Sequence, residues 1–204
     1  MKFRKIFNLS LHRSGTQSVH DLLVRSGLSS IHFPGVVKGT DYQERVSGHE
    51  DDLDYVADVL SPVFDRVTAI GDVPIGVLYR QLAAIPESAF LLALRNPLAW
   101  VRSVRHHVGE RDLNGFEKVQ YWRCLTGRPR SLREVDDAAL CAGYLSHVLE
   151  VIRFFEDRRD ILLFDLEDPQ AGEQICGFLG LAPTSLRRVD FRRGEGVAAH
   201  VFEK

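Results

Sequence analysis

Five apolar runs of strand length, Phe3 to Leu9, Ser29 to Phe33, Arg66 to Ile70, Ala89 to Leu94 and Ile161 to Phe164, punctuate the chain, and segments of helical periodicity separate most of them. This alternation limits the fold sharply. Strands joined through helices run parallel, and a parallel sheet needs helices on both faces to bury it. The expectation is an α/β, three-layer fold with a mostly parallel central sheet of about five strands. With 204 residues, 45% of them hydrophobic, there is material for one well-buried core and too little for two. Residues 1–204 are therefore read as a single domain.

The helices between the runs carry their own punctuation. Thr16 to Ser26 is helical in pattern and Gly27 stands where it would end; Pro97 follows Asn96, a good N-cap, and Gly109 closes that helix about three turns later. The longest helical pattern runs from Asp136 or Asp137 to about Arg158. Leu140, Tyr144, Leu145, Val148, Leu149, Ile152 and Phe155 form its apolar stripe, expected to be core. Asp168-Pro169 opens a last helix that stops at Gly180. Gly35 to Gly48 and Gly109 to Glu134 lack a pattern and read as loops, where acceptor specificity usually resides.

Bulk composition excludes several roles. A formal net charge of −2 argues against a nucleic-acid partner, so attraction for anions has to come from local arginines. No run approaches a membrane span, and the opening Met1 to Lys5 leads into a segment too short for a secretory signal, so no stable membrane insertion and a cytoplasmic location are expected. Cys124, Cys141 and Cys176 are odd in number and lack C-x-x-C spacing, which fits reduced thiols better than a disulfide frame or a zinc site.

Arg13-Ser14-Gly15-Thr16-Gln17-Ser18 falls between the first strand and the first helix. A strand ending near Leu9 and a helix starting near Thr16 leave amides unpaired at a helix N-terminus, a ready cradle for phosphate. Gly15 permits close approach of the backbone, Ser14, Thr16 and Ser18 add hydroxyls, and Arg13 adds a planar cation. The same residues would equally serve as ordinary helix caps. No glycine opens the loop and no lysine precedes the hydroxyl residue, so the Walker A pattern is absent.

A second anion site follows the fourth run, where Arg95-Asn96-Pro97 starts a helix and Ser103 stands eight residues after Arg95. With both motifs in order, the chain resembles the sulfotransferases that use 3′-phosphoadenosine-5′-phosphosulfate (PAPS). The resemblance implies that the His12 to Ser18 loop, including Gln17, holds the 5′-phosphosulfate and that Arg95 and Ser103 hold the 3′-phosphate. It is carried further by Gly71-Asp72-Val73-Pro74 and by Phe164 to Pro169 with Phe178 to Leu181, which are similar to stretches of the family. Arg192-Arg193-Gly194 is similar to its C-terminal R-K-G, implying a further 3′-phosphate contact, with a solvated surface turn as the alternative. Arg13 stands where the family commonly has lysine, Gln17 replaces a hydroxyl residue, and Leu163 and Phe164 stand where a tyrosine often precedes the E-D-L segment. The implied fold is P-loop-nucleotide-kinase-like, PAPS is the implied co-substrate, and a small-molecule or glycan acceptor is the implied partner.

Sulfuryl transfer needs in-line geometry, stabilisation of a charge-spread group and neutralisation of the leaving phosphate. The sulfuryl group carries less charge than a phosphoryl group, so cations and amides suffice and no metal is expected. Arg13 is the candidate for stabilising the leaving-group oxygens. Candidates for the base that takes the acceptor proton are Asp72 first, then His32, with His106 and His107 behind them. Asp72 reads equally as a cap for the segment starting at Pro74, and His32 as a structural histidine. Two rival functions remain: a P-loop kinase with Asp72 holding magnesium, and a non-catalytic module in which Arg13 and Arg95 merely hold a nucleotide. The sulfotransferase reading requires the guanidinium groups of Arg13 and Arg95 to face one cleft, about the breadth of an adenosine bisphosphate apart.

Overall fold

The computed structural model describes residues 2–188. In chain order the elements are β1 (Lys5–Asn8), α1 (Thr16–Arg25), β2 (Ser30–Ile31), β3 (Val36–Val37), β4 (Thr40–Asp41), α2 (Tyr42–Arg45), α3 (Leu53–Arg66), β5 (Ala69–Ile70), α4 (Tyr79–Leu82), β6 (Ser88–Leu94), α5 (Pro97–Val108), α6 (Gly115–Cys124), α7 (Asp137–Phe154), β7 (Ile161–Asp165) and α8 (Ala171–Leu179). Short 3-10 turns occupy Ile75–Leu78 and Leu132–Glu134. All five expected strands are present, and they form one sheet in the order β2-β5-β1-β6-β7 with every pairing parallel.

The period of two along the strands divides the core between the faces. On one side Ile6, Ala69, Ala89, Leu91 and Ala93 pack with Val19, Leu22 and Leu23 of α1 and Ile175 and Leu179 of α8. On the other, Phe7, Ile70, Phe90 and Leu92 pack with Leu60 and Val63 of α3, Trp100 and Val104 of α5, and Val148, Val151 and Phe155 around α7. Phe7 and Phe90 are opposite one another in the β1–β6 register and stack with centroids 5.9 Å apart. The fold is thus α/β in three layers, and burial on both faces explains why the β6 run is unbroken in its apolarity.

Helix boundaries follow the expected signals. Asn96 caps α5 by accepting from the Ala99 amide at 3.1 Å with Pro97 in the first turn, and α8 ends at Gly180 in the left-handed region (φ 69°). The two stretches expected to be loops contain more structure than that. Residues 35–48 hold the β3–β4 hairpin and α2, and residues 109–134 hold α6, opened by a capping box in which Asn114 and Glu117 bond each other's backbone amides. Those elements are short and their apolar residues too few to show a period.

One core assignment is corrected. Leu145 and Leu149, expected inside, are 45% and 49% exposed. The helix is apolar around more of its circumference than the sheet covers. It buries Leu140, Gly143, Tyr144, His147, Val148 and Val151, leaving the Leu145 and Leu149 side to solvent. The last helix also starts at Ala171 rather than at Asp168-Pro169, and α7 ends at Phe154 rather than near Arg158.

From β1 the chain crosses to β2 and returns through β5 on one side, then passes to β6 on the other. This reversal places a crevice beyond the carboxyl ends of the strands, where open α/β sheets bind ligands. The segment after each of the five strands contributes to it: His32 after β2, Asp72 after β5, Arg13 after β1, Arg95 after β6 and Leu166 after β7 all line one cleft of about 610 Å³.

Candidate active site

The turn from β1 to α1 is held rigidly from below. The Leu9 carbonyl accepts from His147 Nε2 (2.9 Å), Ser10 Oγ accepts from the Ala93 amide (2.8 Å), and the His12 carbonyl accepts from Trp100 Nε1 (2.9 Å). Arg13 (φ 66°) and Gly15 (φ 78°) both take the left-handed conformation that folds the turn. Gly15 is the N-cap residue of α1, and no side chain caps the helix. The capping role considered for the hydroxyls is therefore not taken up, and the Thr16 and Gln17 amides lack an intrahelical acceptor at a surface these residues line. A Cβ at Gly15 would stand 2.3 Å from Leu166 Cδ1, so the bare glycine is required by both its φ and its neighbour.

Arg13 and Arg95 both line this one cleft. Arg95 Nη1 donates to the Arg13 carbonyl, and Arg13 Nε donates to Ser103 Oγ at 3.2 Å. The Ser103 hydroxyl is the acceptor within reach of a guanidinium that has no acid beside it. Among the described residues no carboxylate lies within ion-pairing distance of either arginine, and Arg95 Nε is buried without a partner. The Arg95 amide is fixed by Tyr144 Oη at 2.8 Å. Two uncompensated guanidiniums in one concave surface are an anion site by charge alone. Arg188 also lines the cleft and ion-pairs with Glu167.

The cleft is also lined by Asp72, His12, His32 and His107. Asp72 sits in the left-handed region (φ 68°), uncommon for a residue with a side chain, and its Oδ1 is buried without a partner. Burial raises its pKa against the pull of His12. It does not act as the side-chain cap of the following turn, which has Pro74 at its N-cap and no side-chain bond there. His32 Nε2 bonds Thr16 Oγ1 at 3.0 Å and lies 3.4 Å from Asp72 Oδ2. Burial, more than this carboxylate, governs the ring and pushes its pKa down to about 4. His12 Nε2 bonds the Tyr121 hydroxyl, and burial holds its pKa at about 4 as well.

The structure brings together most of the residues singled out in the sequence: Arg13, Gly15, Thr16, Gln17, Ser18, His32, Asp72, Arg95, Ser103 and His107 all line the cleft. Ser14 does not; it is fully buried, with its amide donating to the Leu11 carbonyl. His106 is exposed and outside the lining. Arg192, Arg193 and Gly194 lie outside the described residues. Arg111 and Glu117 were missed as lining residues, although the Asn-x-x-Glu capping pattern at Asn114 and Glu117 was a signal for the helix that brings Glu117 in. His12, His107 and Glu117 offer ligand-type atoms within 4.8 Å of one another. However, both Glu117 oxygens accept from Arg111, at 2.6 and 2.7 Å, so a guanidinium already holds the place a metal cation would take.

With this geometry established, comparison with protein families matches residues 5–193 to a model described as a sulfotransferase domain. That span takes in every strand of the sheet and both arginine-bearing loops. No curated protein matches the chain.

Proposed function

The chain belongs to the sulfotransferase domain family, and from that premise we propose that it moves a sulfuryl group from PAPS to a hydroxyl or amine of a small-molecule or glycan acceptor, without a metal, as one cytoplasmic domain. The observation that carries this reading is the uncompensated pair Arg13 and Arg95 on the wall of a cleft that also receives the open amides of α1. The buried, unpartnered Arg95 Nε and the side-chain-free Gly15 both fit a phosphate-bearing ligand.

In this reading Arg95 and Ser103 hold the 3′-phosphate, joined by Arg192, Arg193 and Gly194. The amides of residues 15–18 hold the 5′ end. Arg13 neutralises charge on the leaving phosphate, an electrostatic contribution of roughly 3 kcal/mol for one well-placed donor. Asp72 takes the acceptor proton: its raised proton affinity, buried free oxygen and place in the cleft that Arg13 lines suit a base better than His32, whose Nε2 is engaged by Thr16. The sulfur–oxygen bond to the phosphate breaks as the bond to the acceptor oxygen or nitrogen forms, and adenosine 3′,5′-bisphosphate leaves.

Thermal melting with nucleotides tests the donor assignment. Adenosine 3′,5′-bisphosphate is expected to raise the melting temperature by mass action, and ADP, lacking the 3′-phosphate, to do so far less. Equal shifts would overturn the Arg95–Ser103 assignment. Mass spectrometry of PAPS reactions with pooled metabolites, run with and without a chelator, then identifies the acceptor by a sulfate-sized gain; a gain lost on chelation would overturn the metal-free mechanism.

A further inference from the structure

The uncovered side of α7 is ordered. Ala138, Ala142, Leu145, Leu149 and Ile152 follow one another at intervals of four, three, four and three residues, the spacing of a coiled-coil seam. Ala138, Ala142, Leu145 and Leu149 are exposed and Ile152 is half-buried. The seam is roughly 21 Å long at the helical rise of about 1.5 Å per residue. Ile152 also packs against the core, and among the described residues Ala138, Ala142, Leu145 and Leu149 stay exposed. A helix apolar on both its sides is ordinarily buried on both, and α7 meets the core with its Leu140, Tyr144, Val148 and Val151 side, Cys141, Ile152 and Phe154 packing at the margins.

From the sequence of the seam we infer that its occupant is the same helix of a second copy of this chain, packed antiparallel about a two-fold axis near Leu145. The small residues stand in the first half and the large ones in the second. Antiparallel pairing therefore sets Ala138 against Ile152 and Ala142 against Leu149 of the other copy, small into large in each of these layers. Charge obeys the same symmetry. Asp137 and Arg153, both exposed, lie eight residues to either side of Leu145, so the axis brings each to the other's counterpart. Asp137 already has Arg105 on its own chain at 2.9 Å and remains 69% exposed, whereas Arg153 has no partner among the described residues. A parallel pair would instead set like charges and like sizes together. An interface that is its own complement is the mark of a two-fold homodimer. One seam of about four turns is at the small end of stable interfaces, so association is expected in the micromolar range.

Sedimentation of the full chain from micromolar to near-millimolar concentration tests this. The expected result is a mass that rises toward the dimer, and a monomer throughout for Leu149→Glu, with Leu145→Gln weakening association in the same direction; far-UV dichroism reports that each variant is folded. Asp137→Lys and Arg153→Glu are each expected to weaken association. Mixed together they should associate better than either alone, because in the mixed pair the introduced lysine faces the introduced glutamate and the native Asp137 faces the native Arg153. A wild-type monomer at every concentration, a dimer indifferent to Leu149→Glu, or a mixture no better than its components would each overturn the inference. A monomer in which Leu149→Glu lowers the melting temperature would assign the seam to a cover from the chain's own residues outside 2–188.

Discussion

Acidification to pH 5 should unfold this protein or bring it close to unfolding, because the fold keeps four histidines neutral. His12, His20, His32 and His147 have their pKa pushed down to about 4, in each case chiefly by burial. Unfolding returns each ring to its ordinary value of 6.5. Between those values the unfolded chain binds more protons than the native one, so stability is fully present above pH 6.5 and is lost as pH falls toward 4. At about 1.4 kcal/mol per pKa unit, lowering pH from about 7 to about 5 removes roughly 2 kcal/mol per ring and roughly 7 kcal/mol for the four. Asp72 acts in the opposite sense, since burial raises its pKa and favours the protonated native state. The remainder compares with a typical total stability of about 5–15 kcal/mol. Guanidinium melts at pH 7, 6 and 5, followed by near-UV dichroism, measure the slope directly. His20→Gln, which can retain a partner for Ser30, should remove about a quarter of it. A protein whose unfolding free energy is the same at pH 5 as at pH 7 would refute the reasoning.

Three further outcomes follow from the cleft. Arg13→Ala should lower kcat about 100-fold while moving the melting temperature little, because the side chain's hydrogen bond to the protein is the one to Ser103; equal losses in turnover and stability would assign Arg13 a structural role. Asp72→Asn should lower kcat by roughly 100-fold or more and abolish the acidic limb of the rate profile. In the parent enzyme that limb should fall above the ordinary carboxylate range, since burial raises the carboxyl pKa, and pH–rate measurements on both proteins check it. Gly15→Ala forces a Cβ into a left-handed residue and against Leu166, a strain of about 1–2 kcal/mol, and should abolish the melting shift produced by adenosine 3′,5′-bisphosphate.

The sheet was legible because its signal is redundant. Each strand of a doubly covered parallel sheet must be apolar on both faces, so the runs at Phe3, Ser29, Arg66, Ala89 and Ile161 stand out without a partner to compare them with. What escaped was structure whose pattern depends on surroundings. Helix α6 has Phe116, Val119, Gln120 and Tyr121 buried beside Lys118 and Arg123, too mixed a face for periodicity alone, and Gly143 lets α7 pass so near its end that a Cβ there would meet the Cys124 carbonyl at 2.8 Å. The α7 stripe was misjudged for the converse reason: hydrophobicity says that a residue is better covered, and not which surface covers it.

The same distinction separates the two halves of the cleft. An anion cradle is made of consecutive amides at a strand–helix junction, so its parts are neighbours in sequence and Arg13 to Ser18 or Arg95 to Ser103 can be recognised as they stand. The proton-accepting wall is assembled from ends that meet only in space. Asp72 comes from β5, His32 from β2, His12 from the turn after β1, His107 from α5 and Glu117 from α6, and the sequence places these up to about a hundred residues apart. Asp72 was found because it closes a strand, a position the sheet points at the ligand; Glu117 had no such marker. On the proposed function acceptor recognition falls to these residues, so its chemistry should change between relatives by substitutions at positions such as Phe33, Val73, His107 and Arg111 that leave the nucleotide cradle intact. Exchanging those side chains should therefore shift KM for the acceptor without altering the melting shift given by adenosine 3′,5′-bisphosphate, and a loss of nucleotide binding on exchange would show the two halves to be one site.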